Sequence, residues 1–243
     1  MSRLQQYDTS NPYEATVKEN TRITPEDAKE EIRHIVLELE GSGFNFVEGQ
    51  SIGITVPNSS QYGGGNDHFR LYSIANARES GETTTIELAV KRCFYIDEVS
   101  GEEVAGIASN YLCDLTPGSK ITFTGPYNRE FVVPADETCN LLMIGMGTGI
   151  APFRAFVKHI YATKGGWKGK VRLFFGARSG LEAIYMNDEK NDFAQYYDEE
   201  TFKAFQALSP RPHMEDDIAL DKAIEEHAEE VWAMLKDPKT YVF

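Results

Sequence analysis

The stretch Leu141-Leu142-Met143-Ile144-Gly145-Met146-Gly147-Thr148-Gly149 restricts the possible folds more than any other part of the chain. Four consecutive apolar residues suit a strand covered on both faces, as in a parallel sheet, where no solvent side demands alternation. Glycines follow at once, and Pro152 to Thr163 reads as a helix with proline at its start. Strand, glycine turn and helix in direct succession bring unpaired backbone N–H groups and a helix dipole to one point, which suits a pyrophosphate. Gly147, Thr148, Gly149, Ile150 and Ala151 are the candidate residues, and the Thr148 hydroxyl adds a donor. The spacing departs from G-x-G-x-x-G, so the flanking strand and helix carry the reading. A turn that needs glycine only for steric room is the plainer alternative.

The rest of this half repeats the alternation. Val171-Arg172-Leu173-Phe174-Phe175-Gly176-Ala177-Arg178 is a second buried strand ending at glycine. The charged run Asn187 to Asp192 is expected to start a helix, and Phe205 to Ser209 can be a third strand. Ile224, Ala228, Val231 and Leu235 recur at helical spacing between Asp221 and Lys236. Thr240-Tyr241-Val242-Phe243 opens a further strand. Alternating strands and helices predict a doubly wound α/β domain over residues 136–243, with ligands beyond the C-terminal ends of its strands.

Residues 1–135 read as an antiparallel β-barrel. Ile35, Leu37 and Leu39 alternate, as do Ile86, Leu88 and Val90. Turn signals separate the short strands at Glu40-Gly41-Ser42-Gly43, Asn58 to Asp67, Asp97 to Glu103 and Pro117 to Lys120. Within this half, Arg70-Leu71-Tyr72-Ser73-Ile74-Ala75-Asn76 carries chemistry. On a strand Arg70 and Tyr72 share a face and Ser73 takes the other. That face offers a guanidinium for a phosphate and an aromatic plane for a ring system. An edge strand with a snorkelling arginine and a half-buried tyrosine is the plainer alternative. Gly106-Ile107-Ala108-Ser109 reads as a helix N-terminus, which is either simply capped or holds a phosphate.

A formal net charge of -14 argues against nucleic acid and against an anionic membrane surface. No apolar run nears the roughly 20 residues of a membrane span. Cys93, Cys113 and Cys139 lack CxxC spacing, so neither a metal site nor a disulfide framework is expected. The chain reads as cytoplasmic, or as stromal if a transit peptide has been removed. Trp167 and Trp232 read as packing residues, and the five histidines as surface or satisfied polar positions.

Several ordered motifs together resemble plant-type ferredoxin–NADP reductases over nearly the whole chain. They are Glu48-Gly49-Gln50-Ser51-Ile52-Gly53, Arg70 to Ala75, Val90-Lys91-Arg92, Gly106 to Asn110, Gly147 to Arg154 and Phe175 to Arg178. The resemblance implies an FAD-binding barrel followed by an NAD(P)-binding domain. It implies that Arg70 holds the FAD pyrophosphate, Tyr72 stacks on the isoalloxazine and Ser73 lies beside flavin N5. Tyr95 is expected on the adenine, Gly106, Ile107, Ala108 and Ser109 at the FAD phosphates, and Lys91 and Gly147 to Ala151 at nucleotide phosphate. The expected activity is electron transfer between NAD(P)H and ferredoxin, flavodoxin or an attached iron–sulfur domain. Alternatives are the reductase component of a multicomponent oxygenase and a flavin-binding module without turnover.

Three departures from the family pattern stand out. The family continues past the position of Phe243 with a Cys-Gly loop and a terminal aromatic, so the chain reads as C-terminally short. The family's 2′-phosphate Ser-Arg pair appears as Ser209-Pro210, with Arg211 one place later, and its Lys and Tyr fall at Asp217 and Ala219. NADP is expected, with NAD as the alternative. Met146 replaces a threonine near the nicotinamide end. Lys91, Arg92, Lys120, Arg129, Arg154 and Lys158 are candidates for a basic patch facing an acidic ferredoxin.

Overall fold

The computed structural model describes residues 7–41, 43–57, 68–79, 83–214 and 216–243. Ser42 of the first expected turn and the loop expected over Asn58 to Asp67 lie outside the described residues.

The N-terminal half contains β1 (Tyr13–Arg22), β2 (Ile32–Glu40), β3 (Ser51–Val56), β4 (His68–Ser73) and β5 (Thr83–Lys91). A small hairpin follows, β6 (Phe94–Ile96) and β7 (Glu103–Ala105), then α1 (Ile107–Asp114) and β8 (Lys120–Tyr127). Six of these strands form one antiparallel sheet in the order β4-β3-β8-β1-β2-β5. An Ile74–Leu88 bridge and a 2.7 Å bond from the Ala75 N–H to the Glu87 carbonyl join the end of β4 to β5 and close the barrel. Closure removes the free edges an open sheet would leave. Ile35, Leu37, Leu39, Ile52, Ile54, Ile86, Leu88 and Val90 point inward into one core, as their period-two spacing requires.

Register in the β3–β4 pair depends on a missing side chain. Thr55 pairs with Phe69 and Gly53 with Leu71, so the Phe69 ring lies diagonally across Gly53. A Cβ at Gly53 would overlap that ring. Glycine in this strand interior marks a close approach of neighbours.

The C-terminal half runs β9 (Asn140–Met146), α2 (Ala151–Lys158), β10 (Val171–Ala177), β11 (Phe202–Leu208), α3 (Leu220–Glu225), α4 (Ala228–Lys236) and β12 (Thr240–Val242). The four strands are parallel in the order β11-β10-β9-β12. The first crossovers step one way and the last steps back past β9, which is the doubly wound arrangement. Leu141, Met143, Leu173 and Phe175 pack against α2 through Phe153, Phe156 and Val157. Leu142 and Phe174 face the other side, against Val231 and Met234 of α4. All seven β10 residues are buried, which explains the absence of alternation, and the one charged member, Arg172, pairs with Glu230 at 2.7 Å.

Some expectations need correction. Asn187 to Asp192 forms no helix. The Asn187 amide instead donates to the carbonyls of Ile23 (2.9 Å) and Leu181 (2.8 Å), and its oxygen accepts the Lys190 N–H. Such side chain–backbone bonds compete with helix formation. The expected Asp221–Lys236 helix is two helices, because the chain breaks at Glu226 and His227. Trp167 is buried and donates to the Cys139 carbonyl at 2.7 Å, but Trp232 is 59% exposed on α4.

Candidate functional site

The end of β4 divides two cavities. Arg70, Tyr72, Cys93, Tyr95 and Gly106 to Ser109 line a cleft of about 490 Å³ on one side. Gly49, Ser73, Asn128 to Phe131 and Pro152 line a cavity of about 590 Å³ on the other. Strand alternation thus sends Arg70 and Tyr72 one way and Ser73 the other.

Arg70 is exposed in the first cleft, and its Nη1 donates to the Phe69 carbonyl at 2.8 Å. Among the described residues no carboxylate pairs with it, so its planar fork is available to an anion. Tyr72 is half-buried against the barrel core, and burial raises its phenol above the usual value. Tyr95 is 54% exposed and stands at the other end of the cleft on the β6–β7 hairpin. Between them α1 begins at Gly106 with no side-chain cap, leaving its first N–H groups directed at the cleft. The helix start is fixed from behind. The Asn110 amide donates to the Cys93 and Gly106 carbonyls, both at 2.8 Å, and the Ser109 hydroxyl accepts the Cys93 N–H at 3.2 Å. A cation, two aromatic faces and an uncapped helix start suit a flat ring system joined to a phosphate.

In the second cavity, Asn128 donates to the Ser51 hydroxyl at 2.9 Å, which lies 3.5 Å from Ser73 Oγ. Asn128 has φ 66, and its side chain fixes a turn whose role was not apparent from the sequence. Ser51 and Asn128 therefore support the Ser73 side of the site.

Beyond β9 the chain makes a 3-10 turn over Gly147–Ile150 and enters α2. Gly147 has φ +53, which favours glycine. Gly149 is different. A Cβ there meets nothing within 4 Å, so packing does not require glycine. The open space beside it leaves room for a ligand to approach the backbone. Ile150 and Ala151 are buried beneath this turn. Lys91 reaches no cavity described here, because it pairs with Glu30. Ser209 and Arg211 lie past the end of β11. The Ser209 hydroxyl donates to the Asp216 carbonyl at 2.7 Å, and Arg211 pairs with the Asp216 carboxylate at 2.8 Å.

The two halves meet at a buried polar cluster. Arg154 of α2 donates to the Ala75 carbonyl at 2.7 Å, pairs with Glu87 and Asp192, and stacks over Tyr185 at 4.6 Å. Burial alone would raise the Glu87 carboxyl, but the charges of Arg154 and Lys158 hold it below its ordinary value. His34 bonds the Tyr185 hydroxyl at 3.1 Å, and burial pushes its imidazole down to about 4. Arg154 is thus no surface cation. Arg92 pairs with Glu31 and Asp114, and Lys120 with Glu14. Four of the six residues expected in a basic patch are neutralised where they stand.

A family model described as an oxidoreductase FAD-binding domain matches residues 15–131, and one described as an oxidoreductase NAD-binding domain matches residues 143–243. A ferredoxin–NADP reductase of Spirulina sp is 31% identical over 98% of this chain and 82% of its own length. The chloroplastic leaf isozyme 1 of Arabidopsis thaliana is 35% identical over 99% of this chain and 67% of its own. The chain spans 62% of the Thermosynechococcus vestitus ferredoxin–NADP reductase, at 33% identity. The solved ferredoxin–NADP+ reductase of Plasmodium falciparum superposes with a TM-score of 0.73 at 20% identity, covering 98% of this chain and 86% of that one. That likeness shows the shared two-part fold.

Proposed function

Because this chain belongs to the ferredoxin–NADP reductase family, we propose that it moves electrons between a nicotinamide nucleotide and a one-electron carrier, with FAD as its cofactor. Bound FAD supplies the chemistry, accepting a hydride and releasing electrons singly. The residues of this chain bind and orient. In this reading Arg70 and the α1 start hold the FAD pyrophosphate, Tyr72 covers the isoalloxazine, Tyr95 covers the adenine, and Ser73 faces the reacting edge. The glycine turn at Gly147–Ile150 receives the nucleotide pyrophosphate. The barrel half ends near residue 135 and the nucleotide half begins near 136.

The observation that carries this reading is the convergence of Arg70, Tyr72, Tyr95 and Gly106–Ser109 on one cleft. The carrier we favour is ferredoxin, with flavodoxin or an attached iron–sulfur domain as the other arms of the test. Chloroplastic and cyanobacterial relatives support a cytoplasmic or stromal setting. The test is anaerobic mixing of FAD-loaded protein with NADH and with NADPH, followed by addition of ferredoxin. Bleaching of the flavin and reduction of ferredoxin are expected. A flavin that binds but bleaches with neither nucleotide supports a binding module instead.

A further inference from the structure

Ser209 to Met214 leave the C-terminal end of β11, and Asp216 to Ala219 lie over the same rim of the sheet. The Ser209 N–H bonds the Arg178 carbonyl at 3.2 Å, and the Ala219 N–H bonds the Leu208 carbonyl at 3.4 Å. Ile218 comes close enough to Gly176 that a Cβ there would stand 2.9 Å from it, with Met146 at 2.8 Å. The loop therefore flanks the glycine turn after β9, where the C-terminal ends of a parallel sheet receive a nucleotide.

Arg211 is the cation this loop carries, and its fork is already engaged. Nε bonds Asp216 Oδ2 at 2.8 Å and Nη2 bonds Asp216 Oδ1 at 3.3 Å, a two-point pairing of the kind a phosphate would make. The Ser209 hydroxyl, itself buried, is spent on the Asp216 carbonyl. Asp217 adds a second exposed carboxylate beside the pair. A nucleotide bearing a 2′-phosphate must displace Asp216 from Arg211 and then sit near two carboxylates. A nucleotide with a free ribose diol needs neither step, and a carboxylate accepts its hydroxyl protons well.

Resting on the reading that the nicotinamide nucleotide binds along this rim, we propose that Asp216 is a specificity-determining residue that turns the site toward NADH and against NADPH. The relatives are named for NADP; in this chain Asp216 already occupies the guanidinium that a phosphate would need.

The test compares kcat/KM for flavin reduction by the two nucleotides in FAD-loaded wild type, Asp216→Asn and Arg211→Ala. Wild type should favour NADH by about tenfold or more, the scale of one surface charge interaction. Asp216→Asn frees Arg211 and should raise NADPH efficiency by about the same factor. Arg211→Ala should lower NADPH efficiency further. Equal or better use of NADPH by wild type, or an unchanged ratio in Asp216→Asn, would overturn the proposal. If neither nucleotide bleaches the flavin, the functional reading fails by itself. Calorimetric binding of 5′-AMP against adenosine 2′,5′-bisphosphate then still decides the matter, since tighter binding of the bisphosphate to wild type contradicts the role given to Asp216.

Discussion

Arg154 is 4% exposed at its side chain and serves Ala75, Glu87, Asp192 and Tyr185 at once, which a lysine's single ammonium could not do. Removing it takes the buried guanidinium from Glu87 and leaves Asp192 only Lys190, at 4.0 Å, among the described residues. Arg154→Met should cost about 3–5 kcal/mol of stability in urea unfolding, as expected for one partner of a buried pair. The sequence reads Arg154 as one more surface cation, because a lone arginine on a helix carries no mark of its partners when they lie 67 and 38 residues away. His34 is equally silent in the sequence. Its depressed value means that the unfolded chain takes up a proton near pH 6.5 while the folded chain resists until about 4. Its contribution is complete above pH 6.5 and is lost as pH falls through that window. Thermal unfolding between pH 7 and 4 should therefore be less pH-dependent in His34→Gln. Arg70 and Tyr72, in contrast, could be read directly, since strand alternation alone sets which residues share a face. Arg70→Ala should weaken FAD binding about ten- to a hundredfold, the loss of one charge-assisted contact, measured by flavin fluorescence titration.

Two glycines show how an element can carry either packing or binding. Gly49 has φ +97, and a Cβ there would overlap the Phe131 carbonyl and the Phe156 ring, where the barrel meets α2. Gly149 opens on free space. Gly49→Ala should lower stability by at least about 2 kcal/mol, since overpacking and backbone strain act together. Gly149→Val should leave unfolding nearly unchanged and weaken nucleotide binding, read by equilibrium titration. At this scale the barrel strands were legible because burial on one face leaves a period of two, and β9 and β10 because burial on both faces leaves a mostly apolar run. The expected helix at Asn187 was not, because a side-chain amide bonding Ile23, far away in the chain, replaces the helical bonds. The break between α3 and α4 was hidden for a related reason. Ile224 and Val231 still cover the same sheet face, so the apolar spacing continues across it.

The whole molecule carries 24 basic and 38 acidic side chains, so its long-range field is negative. The pairings of Lys91, Arg92, Lys120 and Arg154 leave Arg129 and Lys158 as the remaining cations of the expected patch. An acidic carrier is repelled at a distance by such a field, and added salt screens that repulsion within about 10 Å at 0.1 M. Reduction of a separate ferredoxin should thus speed up as ionic strength rises from low values, the reverse of a steered encounter. A rate that falls with salt would show that local cations outweigh the overall charge.

The ring of Phe69 seated over Gly53 works as a key in a keyway. A strand that slipped by one residue would turn its binding side chains inward, and this fit opposes the slip. Filling Gly53 or trimming the Phe69 ring would therefore loosen the aim of the guanidinium and phenol at their cleft.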